Sequence, residues 1–112
     1  MQITVIEQVS FQILEGVTDE TFLEVVEQSN LFLRGRAGFV MRQVCQQSNS
    51  SVWLDLVYWE SMETALGAAS EFNSASETQD FNRLVKKETA SMSHYNVLSS
   101  AKRGISKGDE HE

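Results

Sequence analysis

The stretch V-W-L-D-L-V-Y-W-E at residues 52–60 decides the fold of this chain. Successive side chains of a β-strand point to opposite faces of the sheet, so this stretch separates into two sets. One set is Val52, Leu54, Leu56 and Tyr58, and the other is Trp53, Asp55, Val57 and Trp59. Apart from Asp55, both sets are apolar. We therefore predict a central strand that is covered on both faces, because a solvated face would carry polar residues.

The segments on either side of this strand complete a β-α-β-β-α-β order. Apolar alternation predicts strands over residues 3–14, 38–47 and 91–98. Helical periodicity predicts one helix over 18–34 and a second helical region over 61–87, which is interrupted at 73–76. Thr18 and Ser61 stand at the predicted helix starts, where a hydroxyl can cap free backbone N–H groups. This order is that of the ferredoxin-like α+β fold, in which both helices pack on one face of a four-stranded antiparallel sheet.

Length and composition bound the domain organisation and the partners. The 112 residues suffice for one domain, which we place at residues 1–98. Residues 99–112 hold Ile105 as their only bulky apolar residue, so we predict a flexible tail there. The net charge of −7 argues against a nucleic-acid partner, which needs clustered Lys and Arg. No apolar run approaches the roughly 20 residues of a membrane span, and no signal-peptide pattern opens the chain. We expect no membrane partner and a cytoplasmic location.

The second apolar face of the central strand needs a cover. In the predicted fold both helices pack on one face of the sheet, and no further segment of the chain remains for the other face. Another copy of the same chain is the natural cover. The sequence therefore predicts a homodimer.

Four short motifs carry a resemblance to a known family. They are Gly16 with the helix start at Thr18, then Gly38-Phe39, then Trp53–Trp59 running into Glu60-Ser61, and finally Met92-Ser93-His94-Tyr95. In this pattern the chain resembles the dimeric α/β-barrel superfamily, and within it the antibiotic-biosynthesis-monooxygenase-like branch. The similarity spans roughly residues 5–98. It implies a homodimer whose two sheets face each other as a barrel, with a pocket between each sheet and its helices or inside the barrel.

The resemblance also implies an activity and a set of residues. Cofactor-free monooxygenases of this branch oxidise phenolic or quinol-like rings with oxygen, and they put a tryptophan and an amide side chain from the third strand into the pocket. Trp59 matches the tryptophan, whereas the amide position falls on Asp55, a carboxylate. Haem-degrading relatives use an asparagine on the first strand and a histidine on a helix. This chain has Glu7 and Gln8 on its first strand and its histidines elsewhere, so we predict no cofactor.

Asp55, His94 and Glu7 are the candidate polar site residues. A carboxyl buried beside tryptophans should have a raised pKa, which suits Asp55 to general acid or base catalysis, although a neighbouring strand's side chain or water could instead bind it. His94 could transfer a proton, or be a core histidine with one nitrogen hydrogen-bonded. Glu7 interrupts the apolar face of the first strand. If all three share a cavity, they could form an acid–base pair or a metal set, and we predict no metal.

The two tryptophans are the candidate ligand-stacking residues. Trp53 and Trp59 have flat rings that could stack on an aromatic ligand, although core or dimer packing also explains them, and we favour packing for Trp53. The single cysteine, Cys45, excludes an internal disulfide.

The leading functional hypothesis is a monooxygenase-like enzyme that acts on a small apolar or aromatic compound in the barrel pocket. Asp55 and His94 would be catalytic, with Trp59, Trp53 and Glu7 binding the substrate. The alternative is a non-enzymatic homodimeric module that binds a small organic ligand. A cavity shared by Asp55 and His94, with room for a ligand, would favour the enzyme.

Overall fold

Four strands and three helices make up the part of the chain that the computed structural model describes, residues 2–104. The strands are β1 (Val5–Ile13), β2 (Phe39–Gln46), β3 (Trp53–Trp59) and β4 (Val85–Asn96). The helices are α1 (Asp19–Arg34), α2 (Met62–Phe72) and α3 (Gln79–Leu84), the last preceded by a short 3-10 turn at Ser76–Thr78. All strand pairs are antiparallel, in the order β2-β3-β1-β4. The predicted ferredoxin-like α+β fold is confirmed.

The two predicted helix caps are also confirmed. The Thr18 side chain accepts a hydrogen bond from the backbone N–H of Thr21 at 3.1 Å, and Ser61 accepts one from Thr64 at 3.1 Å. Each bond satisfies a donor that the first turn of a helix leaves free. The backbone of Gly38 lies against the side chain of Thr64, close to the start of α2. Its φ is +84°, and a Cβ placed on it would lie 2.4 Å from the Thr64 hydroxyl, so a side chain at residue 38 would push α2 away from the sheet.

One face of the sheet packs on the helices around two apolar clusters. The register places Val5 opposite Trp59 and Phe11 opposite Trp53, so these side chains share the helix-facing side. The first cluster surrounds Trp59 and includes Val5, Phe32, Leu33, Val57, Ala65 and Ala68. The second surrounds Trp53 and includes Phe11, Phe22, Val26 and Phe81. Asp55 lies on β3 between the two tryptophans, and it is buried.

The fourth strand begins earlier than predicted. We expected it at residue 91, but β4 starts at Val85, where Val85 pairs with Ile13 and Lys86 with Gln12. The sequence Lys86-Lys87-Glu88 looked like the exposed end of a helix, because pairing with a distant strand leaves no local signal. Ser76 follows the predicted interruption, and the sequence predicts it as the cap of the next helical piece. That prediction is wrong, since the short turn there has no side-chain cap and α3 begins at Gln79.

The other face of the sheet carries no helix. It presents three positions on each strand: Ile6, Gln8 and Ser10; Met41, Gln43 and Cys45; Leu54, Leu56 and Tyr58; and Ser91, Ser93 and Tyr95. None of these twelve side chains is charged, although charged residues make up 22% of the chain. At one end of the same face, β1 and β4 continue to Gln12 and its partner Lys86. We call this surface the helix-free face.

The remaining sequence predictions concern the tail and the location. Residues 99–104 form neither helix nor strand, and the rest of the predicted tail, residues 105–112, lies outside the described residues. Among the helices of residues 2–104, none is long and apolar enough to cross a membrane. The cytoplasmic location stays a prediction.

A buried ion pair ties β2, β3 and α1 together. Arg42 donates to both carboxylate oxygens of Asp55, from Nε at 2.9 Å and from Nη2 at 2.7 Å. Its Nη1 donates to the Ser29 hydroxyl at 2.7 Å and to the Asn30 side-chain oxygen at 2.9 Å. The guanidinium also lies over the Phe81 ring, with 5.1 Å between Cζ and the ring centroid. Both members of the pair are almost fully buried, with side chains 4% and 8% exposed.

This geometry predicts an asymmetric result for single and double substitutions. Asp55→Leu and Arg42→Met should each cost about 3–5 kcal/mol of unfolding free energy, because each leaves one buried charge without its partner. The double variant should be markedly more stable than either single variant, since apolar residues can replace a buried ion pair at little net cost. Chemical denaturation measures all three.

The matched control is the exposed pair of Arg36 and Glu71, joined at 2.6 Å. Glu71→Gln should cost no more than about 1 kcal/mol, as is usual for surface ion pairs. A double variant as unstable as the sum of the two single ones would contradict the account of the Arg42–Asp55 pair.

Candidate functional site

A cavity of about 830 Å³ lies between the helix-facing side of the sheet and the helices. Its volume is within the range of small-molecule sites, roughly 300–1,000 Å³. The inner wall comes from the sheet and includes Glu7, Val9, Phe11, Asp55, Val57 and Trp59. The opposite wall comes from α1, α2 and α3 and includes Leu33, Ala68, Ala69, Phe72 and Phe81. Small alanines on α2 face the large Trp59 ring, which leaves room between helix and sheet.

Glu7 and His94 form a cross-strand pair at the inner wall. They are direct neighbours in the β1–β4 register, and Glu7 Oε2 lies 3.1 Å from His94 Nε2. Burial raises the pKa of the Glu7 carboxyl above its ordinary value. The charge and hydrogen bond of His94 oppose this rise, while the charge of Asp55 adds to it. A carboxyl with a raised pKa can exchange protons closer to neutral pH, as a general base or acid must.

Trp59 closes the inner end of the cavity. Its side chain is fully buried, and its indole N–H has no hydrogen-bond partner among the described residues. The indole N–H opposes, as a minor effect, the rise that burial causes in the pKa of Glu7. An unpaired buried N–H is costly, so an acceptor atom of a ligand would be favourable at this point. The carboxyl of Glu7 and the indole N–H thus lie together at one end of an apolar cavity.

Asp55 also lines the cavity, but both of its oxygens accept hydrogen bonds from Arg42. This is the arrangement that the sequence analysis gave as the alternative to a catalytic carboxyl, namely binding by a neighbouring strand's side chain. With Arg42 beside it, the pair is neutral overall. Asp55 therefore contributes a fixed dipole and not a free charge to the cavity.

His94 and Trp53 do not line the cavity. His94 reaches it only through Glu7. Trp53 packs edge-on against Phe22, with 4.9 Å between ring centroids, inside the second apolar cluster. The structure thus brings three of the five predicted site residues, Glu7, Asp55 and Trp59, to one cavity, with His94 directly behind Glu7 and Trp53 in the core.

Metal-binding side chains do not cluster in the described part of the chain. Within residues 2–104, no three His, Cys, Asp or Glu side chains are arranged to hold a metal ion. Glu7 and His94 offer two ligand atoms, and the Asp55 oxygens are occupied by Arg42. The arrangement is instead suited to moving a proton between a ligand, Glu7 and His94.

Arg42 and the charged residues at the mouth of the cavity, its open outer end, are site residues that were not predicted from the sequence. Arg42 stands between Val40 and Val44 in β2, and a charged residue on that apolar alternation was the available signal. The mouth residues Arg83 and Lys87 come from α3 and from the part of β4 that was predicted to be helical. No local pattern marks them, because the pairing of β4 with β1 brings them to the cavity.

Comparison with known proteins gives matches in structure alone. No protein-family model and no curated protein sequence matches the chain. SnoaB, a cofactor-independent oxygenase from Streptomyces nogalater, is 10% identical, with a TM-score of 0.60 over 92% of this chain and 99% of SnoaB.

Two further solved structures match at similar coverage. The monooxygenase from the ActVA-Orf6 gene of Streptomyces coelicolor, in complex with nanaomycin D, is 13% identical, with a TM-score of 0.66 over 91% of this chain and 94% of that one. A protein from Bordetella bronchiseptica, provisionally assigned as an antibiotic biosynthesis monooxygenase, is 17% identical, with a TM-score of 0.66 over 88% of this chain and all of that one. The resemblance to the antibiotic-biosynthesis-monooxygenase-like branch is therefore confirmed at the level of the fold.

Proposed function

We propose that this protein is a monooxygenase-type enzyme that oxidises a small apolar or aromatic compound in the cavity. The observation that carries the proposal is the inner end of that cavity, where the carboxyl of Glu7, with its raised pKa, faces the unpartnered indole N–H of Trp59. A base and a hydrogen-bond donor beside apolar walls suit a substrate that loses a proton from a hydroxyl group. The monooxygenases with the same fold support this choice.

Proton removal is the step that these residues would perform. The substrate hydroxyl donates to Glu7 and accepts from the Trp59 N–H, so the developing oxygen anion is stabilised as the proton leaves. His94 holds the Glu7 carboxyl in place and receives part of the added positive charge. The electron-rich ring then reacts with O2. One oxygen atom becomes a new ring carbonyl, and the other leaves as water with the hydroxyl proton and one ring hydrogen.

The other predicted site residues take supporting roles in this proposal. Asp55, bound by Arg42, polarises the cavity wall and raises the pKa of Glu7. Trp53 stabilises the sheet beneath the site. The catalytic pair is then Glu7 with His94, and Trp59 supplies the hydrogen-bond donor behind the inner end of the cavity.

The helix-free face supports a homodimer as the working form. Its central side chains are apolar or uncharged, with Leu54, Leu56 and Tyr58 of β3 in the middle and the charged Lys86 only at one end. A protein surface normally carries charged residues, and their absence here is typical of the centre of an interface. Two such faces packed together would form the barrel that the fold resemblance implies. The partner copy would then cover both Leu54 and Leu56.

The activity test uses 1-naphthol, whose oxidation by O2 to 1,4-naphthoquinone and water follows the proposed chemistry. Oxygen uptake and quinone absorbance should rise together with the wild-type protein. Glu7→Gln should lower the rate by about 100-fold or more, as the loss of a general base usually does. Glu15→Gln, in the exposed turn after β1, is the matched control and should leave the rate unchanged. Binding of 1-naphthol without oxygen uptake would favour the non-enzymatic ligand-binding module.

The raised pKa of Glu7 predicts a pH-dependent stability difference. The folded protein holds the Glu7 proton more tightly than the unfolded chain, so stability present below the unfolded pKa of about 4.3 is lost as the pH rises through the folded pKa. Glutamine cannot ionise. Glu7→Gln should therefore raise the Tm relative to wild type at about pH 8 and change it little at about pH 4. A Tm difference that is equal at both pH values would contradict the raised pKa.

The dimer is tested by one charged substitution on each side of the sheet. Light scattering should give a dimer for the wild type, with an interface of about 1,600 Å² or more. Leu56→Lys, at the centre of the helix-free face, should give a folded monomer, because two buried lysines would meet in the interface. Leu23→Lys on α1, where Leu23 is 49% exposed, should stay dimeric. A monomeric wild type at micromolar concentration would remove the dimer.

A further inference from the structure

The cavity has two chemically different ends. Its inner end holds the carboxylates of Glu7 and Asp55, both less than 10% exposed. Its outer lining includes the exposed cations Arg83 and Lys87, on α3 and β4. The walls between are mainly apolar. A ligand with a negative group would be repelled at the inner end and attracted at the mouth.

An irregularity in β4 shapes the mouth. Ser10 pairs with Ser91, yet Gln12 pairs with Lys86, so β4 has three more residues than β1 between these two pairs. The Thr89 hydroxyl takes the place of the missing strand contacts, because it accepts from the Gln12 N–H at 2.8 Å and donates to the Lys86 carbonyl at 2.6 Å. Bulges of this kind often re-aim side chains beside active sites. This one brings Lys87 to the cavity, while Lys86 faces the opposite side of the sheet with Gln12.

The two mouth cations are not equivalent. Arg83 forms an ion pair with Asp80 one turn earlier on α3. Lys87 forms no ion pair with any described residue. An unpaired ammonium at the mouth of an apolar cavity is notable in a chain with a net charge of −7, because the overall field of the protein repels anions. A local positive group is then needed to hold one.

The geometry points to an amphipathic carboxylic acid as the substrate class, with its carboxylate at Lys87 and its aromatic or apolar body reaching inward to Trp59. This inference rests on the small-molecule cavity proposed above. It also fixes the orientation of the substrate, since a second acid group beside the buried carboxyl of Glu7 would be unfavourable at the inner end. The neutral hydroxyl or ring carbon that reacts is thereby presented to Glu7. Lys87 acts as a specificity-determining residue and takes no part in proton transfer.

Calorimetric titration with two matched probes tests this inference. 2-Naphthylacetic acid and 2-naphthylacetamide share one ring system and differ in the charge of the head group. The wild type should bind the acid about fivefold more tightly than the amide, the upper range for a partly exposed ion pair, and high salt should reduce the preference. Lys87→Gln should lower the affinity for the acid to that for the amide, with the amide unaffected. Lys86→Gln, which makes the same charge change on the opposite side of β4, should keep the preference.

The outcomes separate this inference from the proposed function. Equal affinity of the wild type for acid and amide would overturn the acid subsite and leave the cavity as a small-molecule site. An equal loss of acid binding in Lys86→Gln and Lys87→Gln would also overturn it, because the preference would then come from the general field of the protein. If neither probe binds, both the subsite and the cavity function are overturned.

Discussion

The buried pair of Arg42 and Asp55 is the interaction on which the rest of the structure depends. The apolar core is divided into one cluster around Trp59 and another around Trp53, and the pair occupies the position between them. Through Ser29 and Asn30 it also fixes α1 against the sheet. A single apolar residue at either position could not make these directional bonds. The pair thus joins α1, β2 and β3 at the wall of the cavity.

Because of this pair, the two carboxylates on one wall of the cavity, Asp55 and Glu7, have different environments. Asp55 is bound twice by Arg42 and is not free to exchange a proton, whereas Glu7 has only His94 and the nearby Trp59 N–H. Two acidic groups in one apolar cavity are thereby given different environments, which is the usual way in which a fold separates a reactive carboxyl from a structural one.

The strand order, the covered central strand and both helix caps follow from local patterns, so they could be predicted from the sequence. Glu7 was also visible, as a charged residue on an apolar alternation. Arg42 carried the same signal between Val40 and Val44, but its partners come from other elements, so the sequence did not show what it binds. An irregularity in β2 between Phe39 and Met41 also moves Phe39 to the helix-facing side with Arg42 and Val44. Strict alternation assigned Phe39 to the opposite face. The position of Lys87 was hidden for a similar reason, since three extra residues in β4 have no signature before the partner strand is known.

The cavity lies where the small alanine side chains of α2 stand near the large Trp59 ring of the sheet. Ala65 and Ala68 pack in the cluster around Trp59, and Ala68, Ala69 and Phe72 line the cavity beside it. Filling this space with a larger side chain would add buried apolar area and satisfy no polar group. The unpartnered N–H of Trp59 and the raised pKa of Glu7 would remain as costs to the folded state. A ligand oxygen that accepts from the indole N–H and donates to Glu7 would reduce both costs, and for that reason we interpret these two features as part of a site.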